Sequence, residues 1–219
     1  IPGVFLDRTG QVNLATLLAM SQKIIKKDDA VIFLVGEQGS LIDTMHIMTI
    51  GDQLSLVEVF DDQETDPKHV RRAVFQHALS IALNLAEEGR DGKSVGAFFV
   101  IGDATKVSEH VEQLIINPFL GYPEDMRNIL DANLLETVKE FSSIDGAFVI
   151  RGDGVILSAG SLIRASLVDE DLPKGLGARH AAAAGITRVT DAMAITISES
   201  DATVRVWRKG RVVTAFEHA

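Results

Sequence analysis

Short unbroken apolar runs, each closed by glycine or a polar residue, constrain this chain more than any other feature. They are AVIFLVG (30–36), SVGAFFVIGD (94–103), DGAFVI (145–150) and AMAITIS (192–198). Each suits a strand covered on both faces better than a helix, and AVIFLVG reads as a buried parallel strand. Helical spacing fills the gaps between them. Asn13 is placed to cap a helix through Lys27, with Leu14, Leu17, Leu18, Ile24 and Ile25 on one face. TMHIMTIG and LSLVEVF read as further strands around a turn at Gly51 and Asp52. Asp66-Pro67 supplies an N-cap and a first-turn proline. Val70, Val74, His77, Ile81 and Leu85 follow at helical spacing as far as Gly89, which makes His77 a packed core histidine.

INPFLGYPEDM (116–126) has two prolines, a glycine and no period, and reads as a domain junction. A helix capped at Asp131 follows, with Leu134, Leu135, Val138 and Phe141 inward. The strand at 146–150 turns at RGDG, a run of turn formers, and returns as VILSA. TVRVW and RVVTA follow AMAITIS after short loops, which favours antiparallel pairing. The expected class is α/β: an N-terminal α/β domain over residues 1–120, then an α+β domain over 121–219 with a central mixed sheet flanked by helices.

Composition narrows the partners. The 219 residues carry 21 Lys and Arg against 31 Asp and Glu, a formal charge of -10. A chain this acidic is a poor match for nucleic acid or an anionic membrane. It has no cysteine, so thiolate metal sites and Cys nucleophiles are excluded. No apolar run reaches the roughly 20 residues of a membrane span. IPGVFLDRTG shows no basic region followed by an apolar core. We expect a cytoplasmic location.

Three stretches hold candidate chemistry. Asp145 stands at the edge of a buried strand and is followed by Gly146 and Ala147, small residues that let a large group approach the backbone. GLGARHAAAAG (175–185) predicts a helix starting near Gly177 to Arg179 and ending at Gly185 as C-cap. Free N–H groups, a helix dipole and an arginine at its start suit phosphate. The same residues read equally as an Ala-rich core helix with a surface arginine. Ser198 and Glu199 fall where a buried strand leaves its sheet, a frequent ligand position in α/β folds, although taken alone they read more simply as a polar turn. No GxGxxG, Walker loop or HExxH is present.

DGAFVI, ARHAAAAGIT and TDAMAITISES, in that order, resemble the diadenylate cyclase family, whose pattern is a DGA motif, an RHR motif and a strand ending in Ser-Glu. The resemblance runs from about Asn128 to Phe216. The stretch before it looks like the archaeal branch, in which the cyclase domain follows a domain similar to one in pyruvate kinase. The resemblance implies condensation of two ATP into cyclic di-AMP and two pyrophosphates with Mn2+ or Mg2+. It implies that Asp145 activates the 3′-hydroxyl or binds metal, that Arg179 and His180 hold phosphates, and that Glu199 joins Asp145 at the metal. Gly146, Ala147, Leu162, Ile163, Gly177, Ala178, Ser198 and Glu199 would border the nucleotide. It also implies a homo-oligomer with facing cyclase domains.

Two positions depart from the pattern. The third RHR position is Ala181, and Ala178 stands where many members have threonine. A lost charge-assisted phosphate contact is worth about 1.5–3 kcal/mol. Lys174, Arg164, Arg188 and Arg205 are the cations placed to substitute. The alternative function is a non-catalytic module that senses ATP or cyclic di-AMP.

Overall fold

The computed structural model describes residues 6–36, 41–51, 69–89, 95–165 and 177–217. The expected strand LSLVEVF, the Asp66-Pro67 cap and Lys174 lie outside these residues. A seven-stranded mixed sheet forms the centre. Its strands are β3 (Phe98–Ile101), β4 (Val111–Gln113), β5 (Ala147–Ile150), β6 (Ile156–Ile163), β7 (Met193–Ile197), β8 (Val204–Arg208) and β9 (Arg211–Phe216), in the spatial order β4-β6-β5-β3-β7-β8-β9. Only β3 and β5 run parallel. The three C-terminal strands form an antiparallel meander, as their short loops require.

Strand periodicity divides the core into two layers. Phe99 and Ile101 point to one face with Phe148, Ile150, Met193, Ile195, Val204 and Val206. That face is covered by α1 (Arg8–Ser21) and α2 (Arg72–Glu88) and by Val138 of α4 (Leu135–Ser142). Phe98 and Val100 point to the other face with Val149, Ala194 and Trp207. There α5 (Ala178–Val189) packs through Ala183, Ala184 and Ile186, beside Val107 of the short α3 (Ala104–Ser108). Each fully buried Ile, Phe or Val contributes about 1.5–3 kcal/mol.

Several expectations change. The first helix begins at Arg8, with Asp7 accepting from the Gly10 N–H at 2.6 Å, and ends at Ser21 rather than Lys27. Asn13 lies within it and donates to the Ala215 carbonyl at 3.1 Å. AVIFLVG is β1 (Ala30–Gly36), but it pairs antiparallel with β2 (Ile42–Thr49) in a separate two-stranded sheet and buries only Val35. His77 is only half-buried on α2. Gly185 does not end α5, which continues to Val189 with Thr190 as cap. A Cβ at Gly185 would lie 2.0 Å from the Ala165 carbonyl oxygen, so glycine there lets the helix approach the end of the neighbouring strand. The expected boundary at 120/121 does not separate two sheets. β3 and β4 precede it, the other five strands follow it, and β3 is central. Among the described residues, no helix is long and apolar enough to cross a membrane.

Candidate active site

Three connections converge at one end of the sheet, on the α5 side. α4 ends at Ser142, and the chain turns through Asp145 and Gly146 into β5. Gly146 has φ +107, and a Cβ there would lie 2.6 Å from the backbone of Gly160 and Ser161 on β6. Glycine at this position is therefore a demand of strand packing as well as conformation. The turn leaves the Asp145 side chain 89% exposed.

α5 begins at the same end. Gly177, its N-cap, has no side chain to satisfy the first-turn N–H groups. Arg179, in that first turn, reaches across the opening. Its Nη2 donates to Asp145 Oδ1 at 3.1 Å, and its Nη1 donates to Glu199 Oε2 at 3.4 Å. Glu199 follows β7 in the turn toward β8. Residues 34 and 20 positions from Arg179 thus meet on one guanidinium. Exposed pairs of this kind contribute at most about 1 kcal/mol to stability, so folding alone does not account for the arrangement. Gly96 makes room for it, because a Cβ there would lie 2.5 Å from Arg179 Nη1.

The three side chains rim a cavity of about 820 Å³, a volume suited to a nucleotide. Its mouth carries Leu162 of β6 and Leu114, both partly exposed. Deeper in, His180 stacks edge-on against Trp207 at 5.9 Å. Burial, then the neighbouring Arg205, push the His180 pKa below its ordinary value; Arg179 adds to this and Asp201 opposes it. Asp201 shows the reverse balance. Burial would raise its pKa, but hydrogen bonds from Ser198 and Thr203 and the charge of Arg205 hold it at about 2.

Comparison with known proteins bears on this geometry. Residues 84–212 match the family described as DisA bacterial checkpoint controller nucleotide-binding. A diadenylate cyclase of Haloferax volcanii is 36% identical over 219 residues, covering 99% of this chain and 78% of the relative. The chain belongs to the diadenylate cyclase family. A second diadenylate cyclase, of Methanocaldococcus jannaschii, is also 36% identical, over 197 residues. That match covers 89% of this chain but 62% of the relative, so the chain spans less than two thirds of its length. DacA from Staphylococcus aureus is a solved structure 22% identical to this chain; the match covers 64% of this chain and 83% of that one, with a TM-score of 0.42.

The cyclase motifs come together as a set. Asp145, Gly146, Leu162, Ile163, Gly177, Ala178, Arg179, His180, Ser198 and Glu199 all line the cavity. Ala147 does not. It is fully buried in the α5-side core, opposite Ser161 in the β5–β6 pairing, so its small size serves that packing. Phe98, Ser161, Asp201 and Arg205 also line the cavity without being expected there as a group. Arg205 had a sequence signal: a charge between Val204 and Val206 must face away from the layer those valines fill. Gly96 had none, because its neighbour Arg179 is 83 positions away along the chain.

Proposed function

We propose that the chain is a diadenylate cyclase that condenses two ATP into cyclic di-AMP and two pyrophosphates. The observation that carries this reading is the single guanidinium of Arg179 bridging Asp145 and Glu199 at the mouth of a nucleotide-sized cavity. In each half-reaction the 3′-oxygen of one ATP bonds to the α-phosphorus of the other. The bond from that phosphorus to the bridging oxygen breaks, and pyrophosphate leaves with its electron pair. Asp145, at the opening, is placed to take the hydroxyl proton. Arg179 and the free N–H groups at the start of α5 steady the phosphates, and positioning with charge stabilisation dominates such transfers. Gly146, Leu162 and Ile163 line the opposite wall and fit the nucleoside end.

Asp145 and Glu199 supply hard oxygen donors, which fit Mn2+ or Mg2+ with substrate phosphates completing the shell. A bound divalent ion would neutralise phosphate charge and acidify the attacking hydroxyl. In the free chain Arg179 occupies both carboxylates, so loading the site exchanges partners: phosphate for Arg179 and metal for the acids. We place the start of the cyclase unit upstream of 121, because β3 and β4 complete its sheet. Residues before it, including the separate β1–β2 sheet, are read as a regulatory or assembly element. We read them as similar to a pyruvate-kinase domain because the chain resembles the archaeal branch of the family. The acidic composition, the absent cysteines and the lack of a membrane-spanning helix among the described residues support a cytoplasmic setting.

The test is incubation with ATP and Mn2+ or Mg2+, resolved by chromatography. Cyclic di-AMP and two equivalents of pyrophosphate are expected. Tight ATP or cyclic di-AMP binding with no cyclisation would instead make the chain a sensor, the outcome to which Ala181 points.

Gly96→Ala gives a finer check. The new methyl would displace the tip of Arg179, 2.5 Å away, and press on the Glu199 Cβ at 3.3 Å. The Michaelis constant for ATP should rise about five- to tenfold, the equivalent of one weakened hydrogen bond. The thermal melting curve should stay within about 2 °C of the parent's. An unchanged constant would mean that Arg179 need not lie where it does.

A further inference from the structure

We propose that Arg205 supplies the second guanidinium that grips the triphosphate, reaching into the cavity from the sheet rather than from the helix. The inference rests on reading the cavity as an ATP site. Arg205 lies on β8, opposite Thr196 of β7. Val204 and Val206 point into the α2-side core, which turns Arg205 to the α5 side, where His180 and the cavity are.

Its surroundings leave it short of partners. The side chain is 17% exposed, yet among the described residues its closest polar contacts are long: His180 Nε2 at 3.4 Å and Asp201 Oδ2 at 3.6 Å. A guanidinium carries five N–H donors in a fixed fork. Enclosing one with so few short hydrogen bonds is unfavourable unless an anion completes its shell. Asp201 faces one edge of the guanidinium at 3.6 Å and leaves donors for the cavity.

The other candidates do not fill this role. Arg179 is the first guanidinium, and in the free chain it is spanned by two carboxylates. His180 is held toward its neutral form. If Arg205 donates to its Nε2, the proton lies on Nδ1, which is buried without a hydrogen-bond partner. Arg164 is paired with Glu112 and does not line the cavity. Arg188 lies in the last turn of α5, against Gly210. The cavity therefore sets Asp145, Glu199 and Asp201 against two guanidiniums, and without Arg205 it would repel a polyanion. A planar fork also matches two phosphate oxygens at once, which a lysine cannot do.

The experiment measures binding of 3′-deoxy-ATP, which lacks the attacking hydroxyl, and of adenosine, which lacks the phosphates. Calorimetry would be run on the parent, Arg205→Ala and Arg205→Lys. The alanine variant should bind 3′-deoxy-ATP about ten- to a hundredfold more weakly and adenosine within about twofold of the parent. Lysine should recover part of the loss, and the Michaelis constant for ATP should follow the same order. Equal weakening of both ligands would make Arg205 a structural residue and overturn the assignment, as would unchanged affinity for 3′-deoxy-ATP. If the alanine variant does not fold, the lysine variant decides: affinity equal to the parent's for both ligands removes the need for a fork. A parent that binds adenosine but not 3′-deoxy-ATP fails the ATP reading itself, before any variant is compared.

Discussion

Asp145→Asn is expected to lower cyclic di-AMP formation by at least about a hundredfold while leaving the fold and ATP binding nearly intact. The carboxylate is 89% exposed and, among the described residues, its close partner is Arg179 at 3.1 Å. Such a pair adds at most about 1 kcal/mol to stability, so the melting temperature should move by only a few degrees. Asparagine keeps the size and an acceptor oxygen, so Arg179 keeps a partner. What disappears is the negative charge and the ability to take a proton. Loss of a positioned base costs about a hundred- to ten-thousandfold, and loss of a metal-binding charge adds to that. The Michaelis constant should change much less than turnover, because the lost interaction belongs to the transition state. A purified variant that makes cyclic di-AMP at even a tenth of the parent rate would remove Asp145 from the chemistry and leave it as an anchor for Arg179.

The contrast between Asp145 and Ala147 shows what a sequence reveals and what it hides. Asp145 was legible because a carboxylate beside a buried apolar run needs a reason, and that reason is local. The small residues after it were legible as a signal but not as to cause. Gly146 is required by a neighbouring strand that comes within 2.6 Å of where its Cβ would be, and Ala147 is sealed in the core. The strands of the C-terminal meander were readable for the same local reason, since short loops leave antiparallel pairing as the simple solution. The error at AVIFLVG was one of context. A run of apolar residues does not say which sheet it joins, and among the described residues this one pairs with β2, outside the central sheet. The supposed junction at 116–126 has every local mark of a linker, yet it connects strands of one sheet. Gly96 and Gly185 matter through contacts with residues distant in sequence, so no short window along the chain contains both partners.

Pairing should be indispensable to turnover, and a subunit without a facing copy should make almost no cyclic di-AMP. The described cavity holds one Asp145, one Arg179 and one Glu199, whereas the product ring needs two new bonds. A two-fold contact satisfies both with the same residues used twice. The exposed position of Asp145 and the partly exposed Leu114 and Leu162 at the mouth leave the reacting end open to a facing copy. A pair of one parent and one Asp145→Asn subunit would complete at most one of the two bonds. It would release one pyrophosphate and stop at the linear dinucleotide that still carries a triphosphate. Where subunits exchange freely, a ninefold excess of the variant should leave each parent subunit with a competent partner about one time in ten, a roughly tenfold loss of specific activity from random isologous pairing. The linear species should build up in the same mixture. Diluting the parent should lower specific activity if the facing contact is weak. If residues 1–120 already hold facing pairs together, activity should be flat with dilution, and weakening that assembly should bring the dependence back. Full-rate cyclisation by a chain that light scattering shows to remain monomeric during turnover would rule out the paired mechanism, whatever the behaviour of the mixtures.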